Sequence, residues 1–112
     1  MVFTDAGRNR TRDLIIDDLN YGMVGTDATA EAVGQTALLA AITATSHAVT
    51  TAAADKTITV DYILTANDAN GSTLREFGVF GDTGVMFSRA VFSSMTKAST
   101  EQWQISTVYK LV

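Results

Sequence analysis

Between Asn67 and Phe92 the chain reads NDANGSTLREFGVFGDTGVMFSRAVF, and this stretch limits the fold more than any other. Asn70-Gly71 is a strong hairpin-turn signal, because both residues tolerate the positive φ of a tight turn. Thr73–Phe80 follows as a strand, Gly81–Gly84 as a second tight turn, and Val85–Met95 as another strand. Just upstream, Thr57–Thr65 alternates and sets Ile58, Val60, Tyr62 and Leu64 on one face. Downstream, Gln102–Leu111 alternates again and gathers Trp103, Ile105, Tyr109 and Leu111. Short links between these four strands predict an antiparallel meander.

The first half is less regular. Thr4 or Asp5 is placed to cap a helix running to about Asn20. Gly22 and Gly25 then mark a loop. Asp27–Ala41 is expected as a short helix or irregular segment with Leu38, Leu39 and Ile42 as its anchors, and Ile42–Ala53 as a weak strand. With 112 residues the chain makes one domain, 1–112. The expected class is α+β or mainly β: an N-terminal helix over about 5–20, then an antiparallel meander or small sandwich over about 42–112. The apolar face of such a sheet must be covered by the helix, a second sheet or a neighbouring subunit.

Composition narrows the function. There is no cysteine, so neither a disulfide framework nor a thiolate metal site is open to the chain. A net charge of -4 argues against nucleic acid as a partner. No apolar run is long enough for a membrane helix, so no membrane partner is expected. The opening MVFTDAGRNR is polar where a signal peptide needs an apolar core, so the product is expected to stay where it is made.

Neighbouring strand residues point to opposite faces, so Arg75 and Glu76 cannot both face solvent. A charge leaning into an apolar face needs a partner, and Arg89 on the following strand is within reach of Glu76. Arg75, Glu76 and Arg89 are therefore expected as structural ion pairs that fix register. Gly78, mid-strand, predicts a bulge or a packed aromatic. In the helix, Arg8, Arg10 and Arg12 come early and Asp13, Asp17 and Asp18 late, against the helix macrodipole, with local relief from pairs such as Asp5–Arg8. This arrangement points to docking on a neighbour through Arg8, Arg10, Arg12, Asp17 and Asp18.

Catalytic and cofactor chemistry finds little support. His47 is the only histidine and has no acid or second histidine near it in the sequence. Gly22, Gly25 and Gly34 follow no strand signal and form no phosphate loop. The rings of Phe77, Phe80, Phe87, Phe92, Trp103 and Tyr109 are expected to be mostly core. No catalytic, cofactor or metal site is expected.

The order Leu74, Arg75, Glu76, Phe77, Gly78, Phe80, then Phe87, Arg89, Phe92, then Lys97 and a strand around Trp103 resembles the C-terminal half of small structural proteins of tailed viruses. These are tail-fibre, collar and baseplate modules, and Gly25-Thr26 after the helix is similar too. The resemblance implies a non-enzymatic virion protein, a tail, baseplate or neck adaptor or a fibre-attachment module. It would be made in the host cytoplasm and need no cofactor. Its partners would be itself, as a trimer or ring, and other virion proteins. A capsid-decorating or turret protein is the alternative within that class. A carbohydrate-binding β module, built around the Asn67–Asn70 turn, is the alternative outside it.

Overall fold

The computed structural model describes residues 1–111; Val112, the last residue of the expected β region, lies outside them. Helix α1 spans Asp5–Asp18 and is followed without a break by β1, Leu19–Gly25. A 3-10 turn at Thr43–Thr45 precedes β2 (His47–Ala48) and β3 (Thr50–Ala54). Then come β4 (Thr57–Leu64), β5 (Thr73–Gly81), β6 (Met86–Thr96) and β7 (Trp103–Lys110). The class is an N-terminal helix followed by antiparallel strands in two sheets, α+β or mainly β.

The small sandwich is the form adopted. One sheet has the order β2-β1-β5-β6, the other β3-β4-β7. Only β5 and β6 pair as chain neighbours within the expected meander; β4 pairs with β7 instead, in register from Thr57↔Lys110 to Leu64↔Trp103. Asn70-Gly71 does turn the chain, with Gly71 at φ 78°, but it carries β4 of one sheet into β5 of the other. The link is therefore a crossover between layers and not a hairpin. Its cause is burial: Ile58, Val60, Tyr62 and Leu64 face Leu74, Phe77 and Val79 across the sandwich, and both sets are buried. Side-by-side pairing would have left one set without a cover.

Gly22 and Gly25 lie in strand β1, not in a loop. At Gly22 a Cβ would stand 2.8 Å from the Tyr62 ring and 3.0 Å from that of Phe77, so glycine admits the two rings to the core. β2 and β3 form nearly one strand that leaves the first sheet and joins the second around Val49. That passage joins the two layers on one side. Tyr62 donates to the Thr45 carbonyl (2.6 Å), and the Val24 N–H donates to Thr45 Oγ1 (3.1 Å), which stitches the 3-10 turn to both sheets. Burial pushes the Tyr62 phenol up to about 12.

Helix α1 crosses one end of the sandwich. Thr4 caps it by accepting from Gly7 N–H (3.1 Å). Ile15 and Ile16 pack on the core. Arg12 donates to the Asp55 carbonyl in the β3–β4 turn (3.0 Å), and the Asp18 carbonyl accepts from Asp82 N–H in the β5–β6 turn (2.9 Å). The helix thus closes the end of the core, while the second sheet covers the face of the first.

Candidate assembly surface

Glu76 is fully buried, on the outer face of β5. Its Oε1 accepts from Arg89 Nε (2.9 Å) and Leu39 N–H (3.0 Å); its Oε2 accepts from Ala40 N–H (2.9 Å) and Asp27 N–H (3.2 Å). Burial alone would raise its pKa, but the Arg89 bond and the three backbone donors outweigh it and hold the carboxyl below its ordinary value. Arg89, with its side chain 2% exposed, also donates to the Thr29 carbonyl (2.8 Å) and Gln35 Oε1 (3.2 Å) and lies 3.5 Å from Asp27 Oδ1. The two residues clamp the segment between β1 and the 3-10 turn onto the sheet. That segment is a compact loop whose ends meet at the Gly25–Ala41 bridge. Leu38, from the same loop, covers Gly78 and Phe80, and Tyr21 stacks on Phe80 at 4.9 Å. β5 is therefore buried on both faces, and Gly78 is needed for close packing, with no bulge there.

Arg75 departs from the expected ion pairing. It forms no ion pair among the described residues; its Nη1 donates to the Thr26 carbonyl (3.1 Å). That carbonyl belongs to the same peptide group whose N–H, that of Asp27, donates to Glu76. Sequence inspection missed Asp27, Glu31 and Gln35 as partners of this region, because they sit some 50 residues from their contacts and carry no periodic signal.

The proposed docking residues of α1 are unevenly available. Arg8 pairs with Asp5 (3.1 Å) and donates to the Phe3 carbonyl (3.2 Å); Arg12 pairs with Asp13 (3.1 Å) besides its bond to Asp55. Both side chains are less than 20% exposed. Arg10 and Asp17 are exposed, and Asp18 lies against Gly81. Of the three arginines proposed for docking, Arg10 alone is exposed and held by no bond among the described residues.

At the far end of the sandwich, His47 Nε2 lies 2.7 Å from Asp68 Oδ2, an acid the sequence neighbourhood of His47 does not show. Asp68 also accepts from Thr65 N–H (2.9 Å) and Oγ1 (2.8 Å). Burial would raise its pKa, but the Thr65 and His47 bonds together lower it. Lys97, fully buried, donates to Asn70 Oδ1 (2.8 Å), and Asn70 Nδ2 donates to the Ala66 carbonyl (2.9 Å). The polar side chains of Asp68 and Asn70 are thus committed to holding the turn, which weighs against a sugar site built from them.

The remaining side of the sandwich is open. β6 and β7 are the edge strands of their sheets and lie on the same side of the molecule. At one end Ser88 Oγ and Tyr109 Oη share a hydrogen bond of 2.5 Å across the gap. Beyond it lies a groove of about 630 Å³ whose apolar walls are Phe92 and Met95 on β6 and Trp103 and Ile105 on β7. The rings of Phe92 and Trp103 were expected in the core; they are half-buried instead, because among the described residues no third strand joins the two edges. Part of the β6 edge is covered by Glu31, whose Oε1 accepts from Val91 N–H (2.7 Å). β7 has β4 as its single strand partner among the described residues. Comparison with protein-family models, with curated proteins and with solved structures finds no match to this chain.

Proposed function

We propose that this chain is a non-enzymatic structural protein of a tailed virus that works by self-assembly and docking, as a tail, baseplate or neck adaptor or a fibre-attachment module. The observation that carries the reading is the open side of the sandwich, where two strand edges flank an apolar groove. An edge of this kind is a template for another chain, and single-domain proteins usually guard it. Around it the body is rigid: Glu76 has two donors on each carboxylate oxygen, which suits a fixed scaffold and leaves that acid no lone pair free for proton transfer. The sequence resemblance around Leu74–Phe80 and Phe87–Lys97 supplies the virion context. The protein is made in the host cytoplasm and ends in the particle.

Particles purified from the virus that encodes the chain test this reading. Quantitative mass spectrometry is expected to find it at a fixed ratio to the tail or neck proteins. A fixed ratio to the major capsid protein would instead indicate a decorating or turret protein. Absence from the particles would remove the reading.

A further inference from the structure

We infer that β7 pairs with β7 of a second copy, antiparallel about a two-fold axis that passes Ser106, so that two sandwiches join through one continuous sheet. This names the partner of the open side and rests on the reading of that side as an assembly surface.

Three observations lead to it. First, β7 is an unguarded edge. It holds no proline, pairs with β4 along its length without a register shift, and has no loop over its outer side among the described residues. β6, by contrast, is irregular against β5 and partly covered by Glu31. Edge strands without bulge, proline or cover accept another strand. Second, the groove beside β7 is apolar and half-exposed, and Val108 on the outer face is 60% exposed. Pairing two copies here covers the walls of both grooves at once.

Third, charge selects direction and register. Glu101 stands just before β7 and Lys110 ends it. A parallel partner would set like charges together at both ends; an antiparallel one brings the Lys110 end of each copy to the Glu101 end of the other, where Glu101 Oε1 also accepts from Ala98 N–H. A two-fold axis perpendicular to the sheet keeps inner faces with inner faces, so the centre must fall on a residue, since a one-residue slip would reverse the faces. With Ser106 at the centre, Trp103 lies opposite Tyr109, Ile105 opposite Thr107, Gln104 opposite Val108 and Gln102 opposite Lys110. Centring on Thr107 would move Lys110 opposite Gln104 and away from Glu101. Of these two registers, the one centred on Ser106 keeps opposite charges together at each end and sets Trp103 opposite Tyr109. A two-fold contact pairs copies, so a ring or trimer requires a second surface, for which Arg10 on α1 remains exposed.

The chain has no cysteine, so one introduced thiol reports on one position. Ser106→Cys, on the exposed outer face, places two thiols directly opposite at the axis. Gln104→Cys, on the same face, faces Val108 and has no thiol to meet. Under mild oxidation the first is expected to give a disulfide-linked dimer at least ten times faster than the second. Sedimentation of the full, unmodified chain at micromolar concentration is expected to show a dimer, and Ser106→Glu, which sets two carboxylates face to face with Asp61 beside each, a monomer with unchanged circular dichroism. An unmodified chain that is monomeric at every concentration, or equal cross-linking from positions 104 and 106, overturns the inference. The two readings fail separately. A monomer that is nonetheless found in particles removes the pairing alone, and a dimer absent from particles removes the virion assignment alone.

Discussion

Glu76 stays ionised because Arg89 and three backbone N–H groups converge on it in a site that excludes water. Removing one partner of such a pair leaves the other charge buried and uncompensated. Glu76→Gln is therefore expected to lower unfolding stability by about 3–5 kcal/mol in urea titration, a large part of the roughly 5–15 kcal/mol typical of one domain. The pH dependence has a definite sign. Folding lowers the Glu76 pKa from 4.5, and those of Asp27 and Asp68 from 3.8, so below these values the folded state binds fewer protons than the unfolded chain. The stability they contribute is complete above about pH 4.5 and is lost as acid takes the pH down through the lower folded values. Glu76→Gln is expected to show a shallower loss over the same range. Lys97 offers the opposite case, a buried cation whose nearest acceptor is the neutral Asn70 amide. Asn70→Asp supplies a counter-charge at the cost of the bond to Ala66. It is expected to raise stability at pH 7 by about 1 kcal/mol, as an ion pair replaces a bond between the cation and a neutral amide. That gain should shrink in parallel thermal melts as the pH falls below about 4, where the aspartate of the unfolded chain takes up a proton. Of this chemistry the Arg89–Glu76 reach was legible, because hairpin geometry brings adjacent strands together; the Lys97–Asn70 contact was not, because it joins two links between strands.

β1 shows why glycine misleads as punctuation. Gly22 and Gly25 were expected to break the chain, yet both are strand residues whose missing side chains make room for other groups. At Gly25 a Cβ would stand 2.5 Å from the Ala40 carbonyl oxygen and would also meet the Glu76 carboxylate. Gly25→Ala is expected to cost about 1–3 kcal/mol or more. Hydrogen exchange should show the amides of Leu39 and Ala40, which Glu76 holds, losing protection ahead of those of β4. Elements with strict alternation, β4 and β7, were located within about one residue at either end. For Asp27–Ala41 the sequence admits a short helix or an irregular segment, and the segment is irregular, because its order comes from Glu76 and Arg89 and not from its own Ala- and Thr-rich sequence. Helix α1 lay between these cases: the Thr4 cap and the Asp5 start were visible, whereas its end at Asp18, two residues before the expected Asn20, is set by β1 beginning at once.

For the whole molecule, the number and antiparallel sense of the later strands followed from periodicity, and their division into two layers did not. Alternation tells which residues need cover but not what covers them, and short links favour hairpins as the simplest assumption. The sandwich resolves this by facing the buried residues of β4 toward those of β5. Its two long sides differ: on one the β2–β3 strand belongs to both sheets, and on the other β6 and β7 end the sheets separately. A shared strand has a thermodynamic consequence. Neither layer can melt while the other keeps its full set of neighbours, so heating should produce one transition, with the calorimetric and van't Hoff enthalpies equal and the near- and far-ultraviolet signals superimposed. If the layers unfolded in turn, the Tyr62 environment would change at a different temperature from the backbone signal. Carrying one strand through both layers makes the protein a single cooperative unit in spite of its open flank.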